Sequence, residues 1–412
     1  MNGRSYLLMQ IEALSEELDS IENSMESLEN KELLHAMRVR FLNLFDERKA
    51  ELVGLREKLS NKVSSERTLS KEWEQLKGIS RNCGDLFLEF EGTMLRSSFP
   101  HGNEICQVAD SLIYYLNYWS GLEWDRFTIM TARGESFAEM TGIIKVRFPD
   151  FTVWRLPLVA HEFGHYAISR ITYGNRHPFK NIVEEWINLK KPETIMEKRR
   201  LQELFADVFA TYIMGPAYAA TLILLNLNPR DDLAFVDGIT HPNHNKRVYC
   251  ILKTLKEMSS QDDYSGIIGY LEKAWQMNLE SSDFAAISKD LDRSDIGKVV
   301  GNWIEILMKA RGRAKYNGWA RTDILIEALN PNFDCSQEQN AECTLPDVLN
   351  AAWRCRIKYA DEDSYGENRL MVQEINRKAL NLCMKIRTDR DQNILHPRDS
   401  ELCVKSNENA ID

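Results

Sequence analysis

Leu156-Pro157-Leu158-Val159-Ala160-His161-Glu162-Phe163-Gly164-His165 is the stretch on which the reading of this chain turns. It is an apolar run with two histidines four residues apart and a glutamate directly after the first. At 3.6 residues per turn, His161 and His165 project from one helical face, about one turn apart. Neutral imidazoles at that spacing can share one zinc ion, with Glu162 beside the open coordination position. The chemistry needs these residue types: two nitrogens to hold the metal, and a carboxylate to take a proton from water activated there.

Two histidines need a third protein ligand if one position is to stay open for water. A further histidine six residues after His165 is absent, because position 171 is Ile171, and position 168 is Ile168 where that arrangement has glycine. His177, next to Pro178 in a loop-like stretch, fits no ligand spacing. The better candidate is Glu203 in Leu201-Gln202-Glu203-Leu204-Phe205-Ala206-Asp207-Val208-Phe209-Ala210. Glu203 and Asp207 stand four apart on one face of a second helix, among apolar residues. Two acids in such a setting are costly to bury without compensation. A zinc ion would compensate Glu203, and the free N–H of a liganding histidine would compensate Asp207.

A third element follows at Thr240-His241-Pro242-Asn243-His244-Asn245-Lys246-Arg247. Together, His161-Glu162-x-x-His165, Glu203-x-x-x-Asp207 and His241-Pro242-x-x-x-x-Arg247 resemble the three-part signature of M48-type gluzincin peptidases. The resemblance covers roughly residues 140–255. It implies zinc held by His161, His165 and Glu203, Glu162 as general base and Asp207 in support. His241 and Arg247 would be auxiliary, positioning substrate or stabilising the developing oxyanion. His244 and Lys246 depart from the proline-rich and acidic residues of the family pattern. Peptide-bond hydrolysis, as opposed to other zinc hydrolysis, follows from the resemblance alone. Tyr166 and Tyr218 are further candidates for an electrophile.

Ahead of the zinc helix, Gly142 to Phe148 alternates apolar and polar residues from Ile144 onward and reads as a strand ending at Pro149. Such a strand is either internal to a sheet or an edge that pairs with an extended peptide substrate.

Composition sets the frame. The chain of 412 residues is 43% hydrophobic and 28% charged, with 20 Gly and 11 Pro, which favours helix. A net charge of −10 gives no support to nucleic-acid binding. Eight cysteines, with no Cys-x-x-Cys spacing, fit reduced thiols in a cytoplasmic protein. Val208 to Leu227 is almost uncharged, but Gly215-Pro216 interrupts it. That favours a helix ending near Met214 and a second from about Pro216 to Leu227, and no membrane span.

In residues 5–80, Leu7, Ile11, Leu14, Leu18, Ile21, Met25 and Leu28 form a heptad seam. It reads as a coiled-coil arm for a homo-oligomer or a regulatory protein, or as a helical hairpin folded back on its own catalytic domain. The fold expected is mainly α with a small β-sheet: a helical coiled-coil arm 1–80, a gluzincin-like core 81–260, a helical region 261–388 and a disordered polar tail 389–412. Helices expected after the third motif element are Arg247 to Met258, Tyr264 to Met277, Ile296 to Ala310, Leu345 to Tyr359 and Glu367 to Ile386, with a polar loop over 330–344. The function expected is zinc-dependent endopeptidase activity on a protein or peptide substrate. The alternative is a binding or scaffold protein with a structural or vestigial zinc site.

Overall fold

The computed structural model describes residues 3–26, 32–61, 69–98, 100–122, 128–131, 136–138, 143–147, 152–168, 170–171, 195–239, 241–259, 263–279, 283–330, 343–360 and 365–395. His177, the loop expected over 330–344 apart from its ends, and residues 396–412 lie outside the described residues.

Apolar residues at helical spacing make the chain mainly helical, with one small sheet. Two compact units divide it at Leu95. The first contains α1 (Gly3–Glu26), α2 (Glu32–Asn61) and most of α3 (Ser70–Ser98). Leu7, Ile11, Leu14 and Leu18 of the heptad seam are buried, and α1 packs against α2. Lys49 of α2 reaches Asp19 of α1 at 2.5 Å and also pairs with Glu22. Phe41 of α2 meets Phe90 of α3 edge-on, ring centres 6.1 Å apart. These four seam positions are therefore already covered by protein, as a folded-back helix pair requires. Ile21, Met25 and Leu28 fall among side chains outside the described residues.

The second unit begins with Arg96, which is fully buried and donates to the Thr128 carbonyl at 2.6 Å and to Asp110 at 2.8 Å. Asp110 lies on α4 (Pro100–Ser120) and accepts the Thr128 N–H at 2.7 Å, so one buried ion pair fixes the start of the sheet. The sheet has order β1 (Thr128–Thr131), β3 (Ile143–Arg147), β2 (Ser136–Ala138). β3 pairs parallel with β1, placing Ile144 opposite Thr128, and antiparallel with β2, placing Ile144 opposite Phe137. The strand expected before the zinc helix thus exists, and it is the middle strand. Its backbone is occupied on both sides, so pairing with a substrate at β3 is excluded; β2 is an edge, and it lies against the helix that follows.

That helix, α5 (Leu158–Ala167), starts after Pro157, whose fixed φ suits a helix entry. It is buried from Leu158 to Gly164, as expected of a helix apolar on all sides. α5 packs on α6 (Ile195–Met214). The closest approach is at Gly164: a Cβ there would lie 2.9 Å from Ala206 Cα. α6 ends at Gly215, which has φ +65°, a conformation glycine adopts without penalty. α7 (Pro216–Thr221) follows with proline at its start, then a π-turn over Leu222–Asn226. The break expected at Gly215-Pro216 is present, and no described helix is long and apolar enough to cross a membrane.

The remaining helices are α8 (His244–Met258), α9 (Ser265–Asn278), α10 (Phe284–Arg293), α11 (Asp295–Arg311), α12 (Trp319–Leu329), α13 (Leu345–Ala360) and α14 (Tyr365–Leu395). α14 runs past Asp389, into the stretch expected to be unstructured. α8 and α11 pack on α6, and α13 packs on α7. The Asn350 amide of α13 closes the helix break: it donates to the Met214 and Pro346 carbonyls and accepts from the Ala217 N–H, each at 2.8 Å. Thr221 and Trp353 add a second tie, Trp353 Nε1 donating to Thr221 Oγ1 at 3.1 Å. Buried backbone groups at a helix break need such partners, and here they come from far along the chain. Cys83, Cys106, Cys250, Cys343, Cys355 and Cys383 are free thiols.

Candidate metal centre

α5 and α6 meet at Gly164 and Ala206, so residues one turn away on either helix are brought within contact distance. His161 Nε2 stands 3.3 Å from one Glu203 oxygen, and His165 Nε2 stands 3.4 Å from the other. Ligand atoms of the three residues lie within 4.8 Å of one another. Bonds of ~2.0–2.1 Å in a tetrahedral site separate neighbouring ligand atoms by about 3.4 Å. The donor set and its spacing therefore fit a divalent cation bound by two imidazoles and a carboxylate. Glu162 is buried, at 8% exposure, between the two histidines in sequence.

Behind the cluster is a closed polar network. Asp207 has no exposed surface. Its Oδ1 lies 3.0 Å from His161 Nδ1 and accepts from Tyr218 Oη at 2.6 Å and from Arg247 at 2.7 Å. Arg247 Nε donates to the other oxygen, also at 2.7 Å, completing a bidentate pair. The Tyr218 ring stacks over His161 at 6.1 Å, and its hydroxyl lies 3.0 Å from the same Nδ1. This arrangement holds His161 Nδ1 against Asp207 and turns Nε2 toward Glu203.

Electrostatics follow from burial and partners. Burial opposes the charge of His161, but hydrogen bonds to Asp207 and Glu203 outweigh it and lift the imidazole to about 10. His165, buried and beside His161, is pushed down to about 4. Burial would raise Glu203, yet His161 and the neighbouring cations hold it down at about 2. Asp207 is likewise held below the usual carboxylate range, against its burial, by Arg247 and His161. Without a cation, two carboxylates thus keep one histidine protonated, and a bound cation would take over that role.

Each residue picked out in the sequence has a definite place. His161, His165 and Glu203 converge, and Asp207 backs His161. His241 is 58% exposed and its Nε2 lies 3.6 Å from Glu203, on the solvent side of the cluster. Arg247 is turned inward, and both of its contacts to the centre go to Asp207. Tyr218 belongs to the same inner network. Tyr166 packs on Phe163 and carries the Arg170 guanidinium over its ring at 3.9 Å. The residue missed in the sequence is Gly164, whose signal was a glycine inside a buried helix, where a close approach of backbones explains it. Comparison with protein-family models, with curated proteins and with solved structures finds no match to the chain.

Proposed function

We propose that the chain is a zinc-dependent endopeptidase of gluzincin type, resembling the M48 peptidases. The observation that carries the reading is the convergence of His161, His165 and Glu203, with Glu162 on the same helix turn and Asp207 behind His161. Zinc held by those three residues would supply a Lewis acid that acidifies water and polarises a peptide carbonyl. Everything else is the work of the chain. Glu162 would accept the proton given up by the attacking water and return it to the departing amine nitrogen. Asp207 accepts from His161 Nδ1 and so keeps the Nε2 lone pair available. Arg247 and Tyr218 hold Asp207 in place, which makes both positioning residues. His241, exposed beside Glu203, is the histidine left to meet substrate.

A closed structural site is the competing reading, and the observation in its favour is the same His241, 3.6 Å from Glu203, as a fourth donor. One pair of variants separates the two. Wild-type protein purified without added metal should carry about one zinc per chain by mass spectrometry, and Glu203→Ala should lose it. Glu162→Gln should keep the zinc and lose cleavage of a quenched peptide pool. Zinc retained with cleavage unaffected by Glu162→Gln, or with no cleavage in wild type, overturns the peptidase reading.

A further inference from the structure

A cleft of about 400 Å³ lies between α6, α10 and α11, within the ~300–1,000 Å³ usual for small-molecule sites. Among the described residues that line it, none is His161, Glu162, His165 or Glu203, so it is separate from the candidate metal centre. One side of it is a single stripe of α6. Glu197, Arg200, Leu201 and Leu204, at i, i+3, i+4 and i+7, share one helical face. The stripe is divided by chemistry: its first half carries a carboxylate and a guanidinium, its second half two buried leucines. Leu291 of α10, Ile296 of α11 and the ring of Pro242 add further hydrocarbon to the lining.

Part of the charge around the cleft is matched within the protein. Lys246 Nζ donates to both oxygens of Asp237, at 2.9 and 2.7 Å. Glu197 and Arg200 are different. Opposite charges three residues apart on a helix commonly pair, yet these two form no ion pair with each other. Arg200 donates through Nε to the Gly238 carbonyl at 3.0 Å, and one terminal nitrogen lies 3.7 Å from Asp237. Its other terminal nitrogen keeps its N–H groups for a ligand. The Glu197 carboxylate has no partner among the described residues. We propose that this cleft binds a free α-amino acid with a large aliphatic side chain, such as leucine. An α-amino acid bears its ammonium, its carboxylate and its hydrocarbon on one carbon, the same three chemistries that the α6 stripe presents in adjacent turns. Glu197 takes the ammonium, Arg200 takes the carboxylate by a charge-assisted hydrogen bond, and the side chain lies along Leu201 and Leu204. Asp295, in the first turn of α11, also lines the cleft and adds to the preference for an ammonium group. A fatty acid would bring its carboxylate to two acids, and an alkylamine would bring its ammonium to Arg200. The inference is independent of the peptidase reading, since no residue of the metal centre takes part in it.

Titration calorimetry on the full-length, chelator-treated chain tests this, with metal removed so that an amino acid cannot bind by chelating a cation at the centre. L-leucine should bind saturably. Three analogues should each bind about tenfold more weakly: N-acetyl-leucine, which lacks the ammonium charge, leucinamide, which lacks the carboxylate, and glycine, which lacks the side chain. Glu197→Gln should weaken leucine about tenfold and erase its advantage over N-acetyl-leucine, while the advantage over leucinamide persists. Arg200 also holds the segment at Gly238, so the carboxylate contact is read from leucinamide on wild type and not from an Arg200 variant. No saturable leucine binding by ~10 mM, equal binding of leucine and its analogues, or a leucine affinity unmoved by Glu197→Gln overturns the inference. None of these outcomes bears on the zinc and cleavage measurements that decide the peptidase reading.

Discussion

Gly164→Ala is the sharpest perturbation of the candidate centre, because it adds one methyl group at the seam that builds it. The new Cβ would stand 2.9 Å from Ala206 Cα, 3.2 Å from its Cβ and 3.3 Å from its carbonyl oxygen. Carbon contacts settle at about 3.5–4.0 Å, so α5 and α6 would have to part there by roughly 0.6–1 Å. The obstructing atoms include backbone, so no rotamer change relieves the clash. Overpacking of this kind costs ~1–3 kcal/mol, and replacing glycine within a helix returns ~1 kcal/mol. The net loss of about 0–2 kcal/mol leaves a folded protein.

Metal binding is far less tolerant. His165 is the next residue to Gly164, and Glu203 and Asp207 flank Ala206, so the separation falls directly on the 3.3 and 3.4 Å gaps between imidazoles and carboxylate. Metal sites match their ideal distances to within ~0.2 Å, and disturbing the residues that orient ligands costs ~10–100-fold in affinity. Zinc competition against a chromogenic chelator should show a loss of that size in Gly164→Ala, with thermal unfolding shifted by only a few degrees. Gly269→Ala is the control. Gly269 is exposed on α9, and a Cβ added there would meet nothing within 4 Å, so alanine should gain ~1 kcal/mol and leave zinc affinity alone. Wild-type affinity in Gly164→Ala would refute the argument that this contact sets the site.

Three further outcomes are expected. Arg247→Met leaves Asp207 charged and buried without its bidentate partner and should cost ~3–5 kcal/mol in chemical denaturation. The same change on an Asp207→Asn background should cost clearly less, and equal costs would dissolve the pair. Asn350→Leu strips partners from the Met214 carbonyl and the Ala217 N–H and should cost about 3 kcal/mol, at ~1–3 kcal/mol per buried orphan; a loss below ~1 kcal/mol contradicts the closure. In metal-free protein, His161, lifted to about 10, stabilises the fold fully below its ordinary value near ~6.5 and loses that contribution as pH rises through 10. His165, pushed down to about 4, stays neutral in the fold and costs stability as pH falls from ~6.5 toward 4. Glu203, held at about 2, loses its contribution below ~4.3. Melting temperature of the metal-free chain should thus peak near pH ~6.5, and a profile flat from pH 5 to 9 contradicts these assignments.

Helical spacing made the cluster legible. His161 and His165, and Glu203 and Asp207, are pairs whose common face follows from 3.6 residues per turn, and an acid in apolar surroundings already asks for a partner. What spacing could not say is which partner. Tyr218 was one aromatic among several until α7 turned back at Gly215 and set its ring over His161. Arg247 had a role by resemblance, and only the packing of α8 on α6 directs it to Asp207. β3 was legible from its alternation, but its neighbours were not. β1 and β2 are short, and pairing in a sheet is set by contacts between segments, not by the pattern of one. α10 was missed although Phe284, Ile287 and Leu291 stand at helical spacing and Asp283 caps its start by accepting from the Ala285 N–H at 2.9 Å.

The sequence of the C-terminal helices gives no hint of the part they play. Gly215-Pro216 announces that a helix ends, which leaves a carbonyl at Met214 and an N–H at Ala217 needing partners in a dry interior. A break of that kind is stable only where a side chain offers both a donor and an acceptor, and Asn350 does so from α13. The break in turn aims α7, and α7 carries Tyr218 to Asp207. Orientation of the innermost histidine therefore depends on an amide more than a hundred residues further along. That dependence is physical rather than patterned, since no periodicity links an asparagine to the carbonyl it will satisfy. It also means that the support of the centre does not stop at Arg247, where the motifs do.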